Sequence, residues 1–174
     1  GAVVKCYDTL IEKVKQYLYI IRNNRIGKVY LANNDYSKAL EYYENAIAIC
    51  NSKFVKNHSL TFMTINNIAE CYYEKGDFNN SLDYYNQLLT IKEYNWGNSD
   101  LAIICNNIAK TYFAMGDYDK SLDYCNRLLK TRQSKLGDGL PDMVMIYNNI
   151  AGVYCVKGKY KEAIEHYKNA LKIR

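Results

Sequence analysis

Apolar and small residues recur along this chain at the spacing of one helical face, and the same pattern appears four times. In its second occurrence Ile65, Ile68, Ala69 and Tyr72 follow the i, i+3, i+4, i+7 rule of an amphipathic helix. After a short break, a second stripe with helical spacing begins at Phe78. Each occurrence therefore predicts a pair of consecutive helices.

The pair of stripes forms a repeat of nearly constant length. The aromatic residue that opens each second stripe advances by 42, 40 and 42 residues, at Tyr36, Phe78, Tyr118 and Tyr160. The predicted first helices end at a residue that tolerates the left-handed conformation, namely Asn34, Gly76, Gly116 and Gly158. One such hairpin cannot bury its own apolar face, so we expect neighbouring copies to stack.

These positions resemble the tetratricopeptide repeat (TPR). The family's order of apolar, small, Tyr, Gly, aromatic, small and aromatic residues is met by Ile68, Ala69, Tyr72, Gly76, Phe78, Ser81 and Tyr85. The resemblance covers residues 20–174. It implies an all-α fold, a right-handed superhelix (α-solenoid) of four helix-turn-helix repeats, with a concave groove lined by the first helices.

The repeats of this chain are longer than the usual TPR length of about 34 residues. The longer repeats, the motif Asn-Asn-Ile-Ala, and the loop with Leu136-Gly137 and Pro141-Asp142 are similar to those of kinesin light chains and related scaffolds. The loops of the first two repeats depart from that pattern. We leave open whether Trp96, in one of them, fastens a helix end or contacts a partner.

We expect residues 1–174 to form a single TPR domain. The predicted repeats are 20–61, 62–101, 102–143 and 144–174, after an N-terminal helix at 1–19. This first segment either runs on as one long helix into the first repeat or forms a capping helix that breaks near Arg22-Asn23-Asn24. No polar cap follows the last predicted helix, so the sequence resembles a fragment or one that covers Ile164, Leu171 and Ile173 with another copy.

Composition narrows the functional class. The 174 residues are 49% hydrophobic with a net charge of +5, which is less basic than a dedicated nucleic-acid binder. No apolar stretch approaches the roughly 20 residues that span a bilayer, and no signal-peptide pattern opens the chain. The six cysteines lack the paired spacing of zinc ligands and are interpreted as reduced thiols. We therefore expect a cytoplasmic protein.

Catalytic chemistry has little support in the sequence. The two histidines, His58 and His166, have no partner at the spacing of a metal site or a catalytic triad, and no glycine-rich phosphate loop is present. We expect no enzymatic activity, no cofactor and no metal.

The strongest functional signal is a double column of asparagine, a mediocre helix former, in the predicted first helices. In TPR proteins these positions line the groove, and a carboxamide can pair with both the N–H and the C=O of an extended peptide. The candidate peptide-binding residues are Asn24, Arg25, Lys28, Asn66, Asn67, Tyr73, Asn106, Asn107, Lys110, Phe113, Asn148 and Asn149. Two alternatives stay open: the asparagines bridge adjacent repeats, or they reflect compositional bias copied by duplication.

The remaining groove columns indicate the kind of partner. They are mainly apolar and carry two cations, Lys28 and Lys110, which suits a peptide with an apolar or aromatic anchor beside acidic residues. Chaperone-binding TPR domains hold a terminal carboxylate with lysines where this chain has Asn24 and Asn106, so chaperone tails are disfavoured. The sequence predicts a non-catalytic interaction scaffold, such as a cargo adaptor of the kinesin light chain kind. The alternatives are self-association through the uncovered terminal face and, less favoured, a helical-repeat nucleic-acid binder.

Overall fold

A computed structural model of the chain describes residues 1–52, 58–91, 98–136 and 141–173. Those residues contain eight α-helices and no strand. In chain order the helices are α1 (Ala2–Ala32), α2 (Tyr36–Cys50), α3 (His58–Lys75), α4 (Phe78–Thr90), α5 (Asn98–Ala114), α6 (Tyr118–Leu136), α7 (Pro141–Val156) and α8 (Tyr160–Lys172). Trp96 and Gly137 lie outside the described residues. The predicted all-α architecture of repeated helix pairs is confirmed.

The helices fall into two compact units, Gly1–Ile91 and Lys92–Arg174. In unit 1, α1 packs against α2 and α3 against α4, while α2 and α1 both contact α3. Unit 2 repeats this arrangement with α5 on α6, α7 on α8, and α6 and α5 against α7. Within each unit the first helices of two successive repeats are therefore neighbours. The repeat boundaries given above remain predictions.

Helix α1 is continuous over 31 residues. Of the two alternatives for the N-terminal segment, the single long helix is the one that the structure contains. Asn23 and Asn24 do not break it, because their amide nitrogens donate to the carbonyls of Tyr19 and Ile20 one turn earlier, at 2.8 and 3.0 Å. The side chains that usually compete with helical backbone are here satisfied within the helix.

The turns between paired helices follow one design. Asn34, with a φ of 59°, ends the first helix of the first repeat, and the corresponding glycines of the later repeats also have positive φ. An aspartate follows in the first three repeats, and its carboxylate accepts from a backbone N–H of the next helix: Asp35 from Lys38, Asp77 from Asn80 and Asp117 from Lys120. The sequence predicted these stops, and the aspartate caps explain where the second helices begin.

Small residues let the paired helices approach closely. Gly27 in α1 lies against the ring of Tyr43, which is fully buried in α2. In the second repeat, Ser81 donates from Oγ to the carbonyl oxygen of Ala69 at 2.8 Å. Tyr43 also belongs to the core of unit 1, in which Ile68 of α3 packs with apolar side chains of α2.

Candidate peptide-binding surface

Two of the predicted binding residues are bonded to each other across repeats. Asn67 in α3 donates from Nδ2 to Oδ1 of Asn24 in α1 at 2.7 Å, and Asn24 donates in turn to Oγ1 of Thr64 at 2.9 Å. Asn24 and Asn67 are each only 2% exposed. Asn24 and Asn67 therefore use these polar atoms for hydrogen bonds inside unit 1.

Unit 2 contains the same pairing. Asn149 in α7 donates from Nδ2 to Oδ1 of Asn106 in α5, and the two residues are separated by 43 positions, as are Asn67 and Asn24. Asn106 is buried. These carboxamides bridge adjacent repeats, the alternative that the sequence leaves open. A role of Asn24, Asn67, Asn106 and Asn149 in peptide binding stays a prediction.

The remaining predicted residues keep some exposure. Four of them are exposed, namely Arg25, Lys28, Lys110 and Asn148. The other four are half-buried, namely Asn66, Tyr73, Asn107 and Phe113. The two aromatic residues contact the aromatic residue that opens the following helix, Tyr73 with Phe78 and Phe113 with Tyr118, at centroid distances of 5.6 and 5.3 Å. Their role in peptide binding stays a prediction.

Unit 1 carries a cleft between the C-terminal ends of α1 and α3. Its volume is about 420 Å³, and it is lined by Lys28, Leu31, Ala32, Asn34, Glu70 and Glu74. Lys28 is among the groove residues that the sequence predicts, and Glu70 occupies the same repeat position in α3, but Glu74 lies outside that column. The signal that could have identified Glu74 is its spacing of four residues from Glu70, which places both carboxylates on one face of α3.

The cleft combines aliphatic surface with unequal charge. Two carboxylates, those of Glu70 and Glu74, line it together with a single ammonium group, that of Lys28. Such a site is electrostatically suited to the long side chain of a lysine or arginine, whose aliphatic stem would contact Leu31 and whose charged end would reach the carboxylates. In unit 2 the first-helix position that corresponds to Glu70 is Lys110, which favours an acidic ligand residue instead.

Burial makes the core cysteines chemically unreactive. All six cysteines are free thiols, and burial raises the pKa of Cys71 to about 11 and that of Cys125 to about 12. A thiol with a raised pKa is a poor nucleophile at neutral pH.

In the described ranges no group of three His, Cys, Asp or Glu side chains is arranged to hold a metal ion. Nor does any helix described there have the length and apolarity needed to cross a bilayer.

Comparison with known proteins finds one family. The sequence model of the tetratricopeptide repeat family matches residues 17–93 and 100–174 of this chain. No curated protein sequence matches the chain.

Several solved structures share the fold. The structure described as "Podosopora anserina putative kinesin light chain nearly identical TPR-like repeats" is 18% identical, with a TM-score of 0.72 over 88% of this chain and 74% of that one. BtubC (BKLC) from P. vanneervenii is also 18% identical, with a TM-score of 0.74 over 95% and 73%. Aspartyl phosphate phosphatase F from Bacillus subtilis is 20% identical, with a TM-score of 0.80 over 95% of this chain and 43% of its own. At such identities the likeness concerns the fold alone.

Proposed function

Because the chain belongs to the tetratricopeptide repeat family, whose fold is of the protein-interaction scaffold type, we propose that it is a non-catalytic scaffold that binds an extended peptide of a partner protein. The peptide lies along the first helices of the repeats, in the groove that the sequence predicts. The observation that carries this proposal is the cleft between α1 and α3, in which Lys28 and Glu70 occupy a repeat position assigned to the groove and Leu31 adds apolar surface.

The ligand is a short segment with an apolar or aromatic anchor and charges of both signs. A basic side chain enters the cleft beside Glu70 and Glu74, and an acidic residue of the peptide meets Lys28, which lines the same cleft. Since an extended segment loses conformational freedom when it binds, we expect an affinity on the order of micromolar. A cargo or adaptor role of the kind suggested by kinesin light chains, exercised in the cytoplasm, is part of this proposal.

Binding can be measured by fluorescence anisotropy with labelled ten-residue peptides. All probes carry one leucine or phenylalanine anchor, and they differ only in having acidic, basic or mixed charged residues around it. The mixed-charge peptides should bind best. Glu74→Lys should weaken binding of the basic and mixed peptides about tenfold, and Lys28→Glu should weaken binding of the acidic and mixed peptides about tenfold.

Matched controls place the same charge changes on second helices. Glu41→Lys in α2 and Lys130→Glu in α6 alter exposed residues outside the proposed site and should leave every affinity within about twofold. If the controls weaken binding as much as the site variants do, net charge rather than a site governs binding. If no peptide class binds above background, the proposal is wrong.

A second candidate function is self-association through the last helix. Ile164 and Leu171 of α8 are 53% and 78% exposed, whereas the counterpart of Ile164 in α2, Leu40, is only 9% exposed and packs in the core of unit 1. In this alternative, the exposed face of α8 packs against another copy. Nucleic-acid binding is less favoured. The feature that suggests it is the net charge of +5, which is lower than that of a dedicated nucleic-acid binder. A gel-shift assay with single-stranded RNA at two salt concentrations tests that alternative.

A further inference from the structure

The first half of α1 extends beyond the repeat and presents an apolar face to solvent. The helix has 31 residues, against 18, 17 and 16 in α3, α5 and α7, the first helices of the later repeats. Seven large apolar side chains in this half are exposed by 40% to 83%: Val3, Val4, Tyr7, Leu10, Ile11, Val14 and Leu18. We call this set the N-terminal stripe.

The stripe has the spacing of a coiled-coil seam. Val3, Tyr7, Leu10 and Val14 are separated by alternating steps of four and three residues, the repeat that keeps one line of side chains against a partner helix. Three more members of the stripe, Val4, Ile11 and Leu18, recur every seven residues and widen it on one side. Singly scattered apolar residues need no explanation, but a periodic stripe marks an interface.

We propose that the N-terminal stripe binds the same stripe of a second copy of this chain, with the two α1 helices antiparallel. In an antiparallel seam, residues whose numbers add up to about 24 lie opposite each other, so Leu10 meets Val14 of the second copy. The two-fold symmetry makes this contact occur twice. Such an isologous arrangement is the commonest form of homodimer.

Charge complementarity favours a second copy in this orientation. Asp8 and Lys15 lie on the same edge of the stripe, seven residues apart. In the antiparallel pair, Asp8 of each chain lies opposite Lys15 of the other, which gives two ion pairs. In a parallel pair, the edge with Asp8 and Lys15 on one helix would instead lie against the opposite edge of the other helix, where Lys13 lies. Lys15 would then approach the like charge of Lys13.

The available area is consistent with a dimer. An aliphatic side chain of this size buries roughly 60 to 120 Å². The seven side chains of the stripe therefore bury on the order of 500 Å² per copy, and the polar rim adds to this. Stable complexes bury about 800 Å² per partner, so the seam supports a reversible dimer rather than an obligate one.

A lipid surface fits the stripe less well than a protein does. Between Lys5 and Lys15 the polar side of the helix carries three lysines and two acidic residues, Asp8 and Glu12. Helices that lie on membranes are typically rich in Lys and Arg on the polar face. The mixed charge of α1 is instead typical of a helix that pairs with another helix.

Sedimentation equilibrium of the full chain over a concentration series tests the proposal. We expect a monomer–dimer equilibrium for the unchanged protein. Val14→Glu should raise the dissociation constant at least about a hundredfold, since it places a charge in the seam. Val156→Glu, the same substitution at an exposed valine of α7, should leave the equilibrium within about twofold, and Ile164→Glu tests whether the copies associate through α8 instead. Circular dichroism checks that the variants fold, and Leu10→Lys serves as a second seam variant.

A charge-reversal pair tests the orientation. Asp8→Lys places a lysine opposite Lys15 of the second copy and should weaken the dimer about tenfold, while adding Lys15→Asp should restore it. A monomer at all concentrations, loss of the dimer only with Ile164→Glu, or failure of the double variant to recover would each overturn the proposal. Membrane binding would also overturn the proposal. It would be shown if the chain is monomeric in solution but sediments with vesicles of phosphatidylcholine and phosphatidylserine, and if Val14→Glu abolishes this co-sedimentation.

Discussion

Asn67 donates a hydrogen bond to Asn24 at 2.7 Å and so joins the first helices of two successive repeats. Asn24 also donates to the carbonyl oxygen of Ile20 and to Thr64 Oγ1, so that both its donor and its acceptor atoms are engaged. Asn149 and Asn106 form the corresponding bond in unit 2. These bonds offset the low helix propensity of asparagine, because a buried carboxamide that is fully bonded stabilises the contact between repeats.

Replacing Asn67 with Ala should therefore lower stability. The change leaves Oδ1 of the buried Asn24 without this donor, which costs about 1 to 3 kcal/mol. Thermal and urea unfolding followed by circular dichroism measure the effect. Asn86→Ala, at an exposed position of α4, is the control and should change the free energy of unfolding by less than about 0.5 kcal/mol. Equal effects of the two variants would show that the bridge contributes nothing.

The hydrogen bonds between asparagines of adjacent repeats could not be predicted from the sequence alone. The repeat and its helix pairs follow from spacing alone, because apolar periodicity and turn residues are local properties. Whether the side chain of Asn24 faces a groove or the next helix depends on how α1 and α3 pack, and a small rotation decides between the two. The packing of these two helices also creates the cleft, so the spacing of Glu70 and Glu74 places both on one face of α3 but does not by itself predict the cleft.

The continuity of α1 has a local explanation. Asn23 and Asn24 follow Arg22, and because asparagine competes for backbone hydrogen bonds, the sequence left a broken helix open. Both amides instead bond to carbonyls one turn earlier, which leaves the backbone ladder intact. The sequence allowed either outcome, and burial of the two side chains against the rest of unit 1 selects the continuous helix.

Two glycine-to-alanine changes should have opposite effects. Gly27 and Gly152 both lie inside helices, where alanine is intrinsically favoured by roughly 1 kcal/mol. A Cβ at Gly27 would lie 2.8 Å from Cδ1 and Cζ of the buried Tyr43 ring, whereas at Gly152 nothing lies within 4 Å. We expect Gly27→Ala to destabilise the fold by about 1 to 3 kcal/mol and Gly152→Ala to stabilise it by up to about 1 kcal/mol.

Chemical denaturation of both variants measures this difference. Replacing Tyr43 with Leu in the Gly27→Ala background should recover part of the lost stability, since it removes the ring that the new methyl group meets. If Gly27→Ala is neutral or stabilising, the close approach of α1 and α2 does not require a glycine at position 27.

His166 should make stability dependent on pH. Burial against Tyr147 and Tyr154 lowers the pKa of its imidazole below the ordinary 6.5, although Glu165 opposes the shift. The unfolded chain then binds a proton at a higher pH than the folded chain does. The stabilisation is complete above about pH 6.5 and is lost as the pH falls from there through the lower, folded pKa.

Urea unfolding at about pH 7.5 and about pH 5.5, on either side of the ordinary histidine pKa, measures this dependence. His166→Phe keeps a planar ring between the tyrosines but cannot be protonated, so its loss of stability between the two pH values should be smaller than that of the unchanged protein. An identical loss in the two proteins would assign the pH dependence to groups elsewhere in the chain.

The last helix starts without the side-chain cap of α2 and α4, and supplying it should stabilise the fold. Lys159 precedes α8 with φ −88° and ψ 67°, nearly the geometry of Asp77 before α4 at −88° and 72°, but makes no capping hydrogen bond. Lys159→Asp should place a carboxylate on the first N–H groups of α8 and remove a cation from the helix N-terminus, raising stability by about 1 kcal/mol. Differential scanning calorimetry should show a higher Tm. Lys168→Asp makes the same charge change in the middle of α8, so an equal gain there would attribute the effect to net charge rather than to the cap.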